Sequence, residues 1–290
     1  MKHALLITAY TDFAALEELI GKFDDSFAVY IHIDKKSKVS YKTLNHLSNL
    51  PLVRYISTTY KVNWGGINHL KSYLLLCQKA LEDKDITYLH LITGTDYPTR
   101  SLADFKSFVE SNSVTRNCYM DYFPLPNPGW EYGGVNRLEK YNYYDVFDAK
   151  TKLGNLCIKL LLKTQRILHI KRPILFSERL FGGSTYWTLP REAVDYVLGF
   201  TKDNPSFFKQ FEHSFCAEEI YFQTVLLNSS FSSKIINDNL RYTDWQSGKG
   251  GYPAFLDETD FETIIKSKCF FARKITSATL KQLLTQHCEK

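Results

Sequence analysis

Four short apolar runs separated by amphipathic segments fill the first 110 residues, and this alternation restricts the fold more than any other feature of the chain. HALLITAY, FAVYIHID, VRYIST and ITYLHLITG are rich in β-branched and aromatic residues and read as buried strands. Between them, DFAALEELIGKF, KTLNHLSNL and HLKSYLLLCQKALE carry apolar residues at helical spacing. Apolar strands joined by helices predict an α/β fold with a parallel, doubly wound sheet, because a parallel pair needs a crossover long enough to hold a helix. Ligands of such sheets bind beyond the carboxyl ends of the strands. Here those ends carry Tyr10 to Asp12, Asp34 to Lys36 and Thr93 to Pro98.

The pattern weakens from about residue 116 to 180, where DYFPLPNPGWEYGG reads as a loop. The basic apolar segment 156–172, LCIKLLLKTQRILHIKR, reads as a helix, either buried with a charged edge or resting on a membrane surface. GGSTYWTL predicts a strand entered through Gly182 and Gly183, REAVDYVLGF a helix, and SFCAEEIYFQTVLLNS a further helix with Glu218 and Glu219 in its first turn. The tail 261–287 combines a short strand with a terminal helix. Without a repeat or a low-complexity linker, the chain is expected to form one domain over 1–290. Residues 1–115 would make its nucleotide-binding part and 116–290 its acceptor-binding and catalytic part.

Composition narrows the classes. The six cysteines are scattered singly, away from the eight histidines, so neither a zinc site nor a disulfide framework is expected. The opening MKHALLITAYTDF has no small-residue cleavage site and reads as a first strand, and no run approaches the roughly 20 apolar residues of a membrane span. The expected location is therefore cytoplasmic. The net charge of +5 and 43 aromatic residues (20 Phe, 19 Tyr, 4 Trp) come without a clustered basic stripe or an RNP-like motif, which argues against nucleic-acid binding. Neither GxGxxG after the first strand nor GxxxxGK[ST] occurs, so the dinucleotide and P-loop signatures are missing.

Several residues are candidates for chemistry. Glu218 or Glu219 is a possible general base, although acids at a helix start are also favoured by the dipole alone. Arg273 and Lys274 end the apolar run CFFARKIT and are suited to a diphosphate or to a solvated strand end. Asp34 can serve ribose hydroxyls, a uracil edge or a turn. Thr95 and Asp96 follow the fourth strand, where a metal site of the Asp-x-Asp type would lie; only one carboxylate is present, and a divalent ion wants more. Trp64, Gly65 and Gly66 admit either a close ligand or a tight turn.

Taken in order, VYIHIDKKS, VNWGGINHL, LHLITGTDYPTRS, GGSTYWTL, AEEIYFQTVLLNS, NLRYTDW and FFARKI resemble the Branch family, glycosyltransferase family 14, over nearly the whole chain. The family comprises core-2 and I-branching β-1,6-N-acetylglucosaminyltransferases and peptide O-xylosyltransferases. The resemblance implies a GT-A type, Rossmann-like fold and inverting transfer from a UDP-sugar donor, with no metal ion and no other cofactor. Alignment on Thr224 makes Glu219 the catalytic base and Glu218 its less constant neighbour. Lys274 takes the place of the cation that meets the departing diphosphate, with Arg273 or Lys249 as a second. Asp34, Trp64, Gly65, Gly66, Thr95 and Asp96 are placed toward the donor, and Arg137, Gly183, Ser184, Glu218 and Trp245 toward the substrate. The animal enzymes carry an anchor, a stem and disulfides; a bare catalytic domain suggests a bacterial member. Such a member would build surface polysaccharide on a glycan or lipid-linked acceptor at the inner membrane, moving N-acetylglucosamine. The alternatives are β-xylosyl transfer on the same fold, or a non-catalytic sugar-nucleotide or glycan-binding protein.

Overall fold

The computed structural model describes residues 1–112 and 114–289. The four apolar runs form β1 (Lys2–Ala9), β2 (Phe27–Ile33), β3 (Val53–Ser57) and β4 (Ile86–Thr93), connected by α1 (Phe13–Ile20), α2 (Tyr41–Ser48) and α3 (Asn68–Glu82). Each crossover returns the chain parallel, pairing β1 with β2 and β4, and β2 with β3. The following chain adds β5 (Tyr97–Pro98), α4 (Leu102–Ser111), β6 (Cys118–Met120), β7 (Phe123–Pro124), α5 (Asn136–Glu139) and α6 (Lys152–Ile167). Then come β8 (Phe181–Gly182), β9 (Trp187–Pro190), α7 (Arg191–Asp203), α8 (Pro205–Lys209), α9 (Tyr221–Leu227) and β10 (Ile235–Ile236). The chain closes with β11 (Arg241–Thr243), α10 (Phe261–Ser267), β12 (Phe271–Arg273) and α11 (Ala278–Cys288).

The central sheet has seven strands in the order β10-β6-β9-β4-β1-β2-β3, and β9 alone runs against its neighbours. Alternation along β1 divides the core between the two faces. Ala4 and Leu6 join a cluster with residues of α3, α7 and α9, whereas Leu5 and Ile7 join one with α1, α4, α10 and α11. Helices thus cover both faces of a mostly parallel sheet, as the strand and helix spacing predicts. A smaller sheet, β11-β12-β5, begins just past the carboxyl end of β4 and carries Arg273 at that end of the molecule.

The structure corrects the sequence reading at three places. SFCAEEIYFQTVLLNS is not one helix: Ala217–Glu219 form a separate 3-10 turn, and Ile220 (φ −127°, ψ −36°) breaks the chain before α9. The Glu219 carbonyl accepts from Gly183 N at 2.9 Å, so it is drawn toward the strand segment at the position where a continuous helix would use it. The basic segment forms α6 over Lys152–Ile167, and most of its surface is exposed, not buried. GGSTYWTL divides between β8, which ends at Gly182, and β9, which begins at Trp187. No helix among the described residues is long and apolar enough to cross a membrane.

Candidate active site

The 3-10 turn aims its two acids in different directions. Glu218 is buried, and His69 Nδ1 from α3 donates to its Oε1 at 3.0 Å; the other imidazole nitrogen accepts from the Tyr73 hydroxyl at 2.8 Å. Oε2 of Glu218 is sealed in without a hydrogen-bond partner. Glu219 keeps 27% of its side-chain surface open, and Arg137 Nη1 donates to its Oε2 at 2.5 Å. Burial raises the pKa of Glu219, the neighbouring Glu218 charge raises it further, and the Arg137 guanidinium opposes both.

Arg137 is held by aromatic faces. Its guanidinium lies 3.4 Å from the centroid of Trp130 and 5.2 Å from that of Phe215. Phe215 N donates to Arg137 O, and Cys216 N to Gly65 O, so the loop after β3, α5 and the 3-10 turn are tied together by backbone bonds. Gly65 (φ 84°) is required here, since a Cβ would lie 2.6 Å from the Phe215 ring. At Gly66 a Cβ would meet Asp145 Oδ1 at 2.3 Å; that carboxylate accepts from the Ile67 and Asn68 amides and caps α3. The close approach expected at these glycines is thus made by the chain's own Phe215 and Asp145. Trp64 stands beside them, half exposed, edge-on to Tyr144 and Phe215.

A cationic group lies on the other side of segment 183–186. Arg273 lies over the Tyr186 ring at 4.3 Å, with its Nε 3.3 Å from Asp96 Oδ1, an ion pair not aligned as a hydrogen bond. Asp96 has no exposed side-chain surface, and its Oδ2 accepts from Thr93 N at 2.5 Å. The sequence assigns Asp96 to the donor; the structure makes it a buried support for Arg273, because no face of the carboxylate reaches the surface. Burial raises its pKa and the Arg273 charge pulls it back. Thr95 supports the same corner, its carbonyl accepting from Ile275 N at 2.9 Å. Lys274 is held below the usual lysine range by burial first, then by Arg273 and Lys150. Its Nζ stands 5.1 Å from the Phe255 ring centroid.

Lys249, the alternative second cation, is committed elsewhere: its Nζ pairs with Asp257 at 3.3 Å and Asp260 at 3.0 Å. Lys150 is the cation that the sequence reading missed. Its backbone N donates to Asp148 Oδ1, and Asp148 in turn pairs with Lys36 at 2.8 Å beside the end of β2. This pins the loop across the strand ends and sets Lys150 over the exposed Tyr10 ring at 5.0 Å. No local motif marks it, because a contact 112 residues apart from Lys36 to Asp148 brings it there. Asp34 braces the same corner by accepting from the Lys36 and Val62 amides.

Gly183 and Tyr186 join the two groups. Gly183 bonds the Glu219 backbone and Tyr186 stacks on Arg273, so three residues, at most about 11 Å of chain, separate the carboxylate turn from the cations. The Tyr73 hydroxyl is pushed well above the usual tyrosine range, by burial first and then by the Glu218 charge. A Cβ on Gly183 would fall 1.9 Å from Asp121 O, which explains the glycine. Ser184 O accepts from Gln223 on α9. Trp245, about half exposed, packs near Tyr252, in the loop whose Ala254 meets the Lys274 backbone. Among the described residues no group of three or more His, Cys, Asp or Glu side chains converges to hold a metal.

The Branch model, core-2/I-branching enzyme, matches residues 4–265. Similar proteins include xylosyltransferase 2 of Rattus norvegicus, 26% identical across 88% of this chain and 29% of its own length. Xylosyltransferase 1 of Mus musculus is 26% identical across 83% of this chain and 23% of its own. The chain therefore spans about a quarter of the curated relatives it matches. Among solved structures, S. aureus TarS 1-349 is similar at 13% identity and a TM-score of 0.41, covering 81% of this chain and 57% of that one. TarS 1-349 in complex with UDP-GlcNAc covers 41% of this chain and 34% of that one, at 14% identity and a TM-score of 0.32.

Proposed function

This chain belongs to the Branch family of core-2/I-branching enzymes, and on that premise we propose that it is an inverting glycosyltransferase in which Glu219 is the general base. A sugar hydroxyl is a weak nucleophile, so a carboxylate must take its proton as the new bond forms on the face opposite the leaving group. The observation that carries this reading is the position of Glu219, a partly open carboxylate whose pKa is raised by burial, one short segment away from Arg273 and Lys274.

The donor in this reading is a UDP-sugar. Lys274, Arg273 and Lys150 meet the diphosphate as negative charge grows on it, and fixed cations stabilise that charge without a divalent ion. The pairing of Asp96 with Arg273 supports a metal-independent reaction, since the one carboxylate at the usual metal position serves a cation of the protein. An α-linked donor then yields a β-linked product. N-acetylglucosamine is the proposed sugar and a glycan hydroxyl, in bacterial surface polysaccharide synthesis at the cytoplasmic face of the inner membrane, the proposed acceptor. The xylosyltransferase relatives favour UDP-xylose as the second candidate donor.

Hydrolysis and thermal-shift assays against a panel of UDP-sugars separate these readings. Glu219→Gln keeps the size of the side chain but removes the proton acceptor, and is expected to slow transfer about a hundred- to ten-thousand-fold while UDP still binds. Near-normal transfer by Glu219→Gln, with UDP binding intact, sinks the assignment of the base.

A further inference from the structure

Helix α6 presents three distinct faces. At about 100° per residue, Gly154, Ile158 and Gln165 fall within about 40° of one another and form the side turned to the protein. Roughly opposite, Leu153, Leu156, Leu160 and Ile167 share an arc of about 60° and are 72%, 53%, 54% and 63% exposed. Beside this apolar row, Lys152, Lys159, Lys163 and Arg166 occupy another arc of about 60°, all exposed. No acidic residue occurs from Lys152 to Arg172. An ordinary surface helix turns its apolar row to the core and its charges to water. Here the core takes a glycine, an isoleucine and a glutamine while Leu153, Leu156 and Leu160 face outward.

We propose that α6 is a docking surface for an anionic lipid membrane, lying in the plane of the interface with its leucine row in the acyl boundary and its lysines at the headgroups. The charge pattern favours this occupant. A row of cations flanking an exposed apolar stripe is complementary to anionic headgroups above hydrocarbon, whereas a purely apolar partner would leave the lysines unmatched. The helix is anchored for such a role at both ends. The Thr151 hydroxyl caps its start, and Gln165 exchanges hydrogen bonds with the Tyr141 backbone, four residues from Arg137. A docked helix would therefore fix the segment that carries the partner of Glu219.

The test is co-sedimentation of the full chain with phosphatidylcholine vesicles prepared with and without phosphatidylglycerol. Binding is expected only with the anionic lipid and should weaken as salt rises. Leu156→Gln/Leu160→Gln should weaken it roughly tenfold or more, since two exposed leucines would no longer enter hydrocarbon. Lys159→Glu/Lys163→Glu should abolish the preference for anionic lipid. Both pairs are already solvated, so the thermal midpoint should stay within a few degrees of the parent. Absence of anionic-vesicle binding, or equal binding by the leucine variant, overturns the proposal. So does concentration-dependent self-association that the leucine variant abolishes, which would assign the face to a second copy. The assay reads no sugar transfer, so its failure leaves the proposed chemistry untouched.

Discussion

At the scale of single residues, the environment of Glu219 makes a signed prediction. Several influences act on its carboxyl group: burial first and then Glu218 push the pKa up, and Arg137 and then His69 push it down. Transfer needs the ionised base, so activity should fall as pH drops through that raised pKa. Glu218→Gln removes one raising charge while its amide oxygen can still accept from His69, so the acid limb should move to lower pH. Arg137→Gln removes the opposing cation, and the limb should move to higher pH. A pH profile of kcat/KM for each variant tests the pair, and shifts in the same direction would contradict the arrangement. Lys274 is tested by calorimetry. Lys274→Ala should remove a charge-assisted contact of about 1.5–3 kcal/mol, weakening UDP roughly 10- to 150-fold. Unchanged UDP affinity would move the lysine out of the donor site.

At the scale of elements, the site depends on where a helix fails to form. The sequence AEEIYFQTVLLNS has helical spacing, but the Gly183 amide takes the Glu219 carbonyl and the chain breaks at Ile220. The acids are thereby separated from α9 and directed to His69 and Arg137. Gly183→Ala should disturb this junction, because the new methyl would sit 1.9 Å from the Asp121 carbonyl. Overpacking of this kind costs about 1–3 kcal/mol, and activity should fall with the thermal midpoint. Gly66→Ala is the comparison. It displaces Asp145 from the start of α3, with an expected loss of about 1 kcal/mol from the cap. An alanine at either position with full stability and activity would show that the backbone there can yield.

At the scale of the whole molecule, the sheet delivers the site. The small β11-β12-β5 sheet holds Arg273 just past the end of β4, and the long segment from β7 to α6 returns Lys150 and Arg137 to the same end. Because the positive charge comes from side chains fixed in this frame, transfer is expected to persist in EDTA; strict dependence on an added divalent ion would overturn the metal-free reading. The alternation of apolar strands and helices was legible in the first 110 residues because β1, β2 and β4, inside the sheet, are covered on both faces and are mostly apolar, whereas β3 at the edge leaves Arg54 exposed. Glu219, Lys274 and the glycines were legible as candidates from residue type and order. The sequence by itself thus determined the strand and helix succession, which follows from local periodicity. Only the tertiary structure decided that Glu218 is buried against His69, that Asp96 pairs with Arg273 and Lys249 with the partly exposed Asp257 and Asp260, that Lys150 joins the cations and that α6 turns Leu153, Leu156 and Leu160 outward. Those outcomes depend on contacts between residues far apart in the chain, and local spacing carries no information about them.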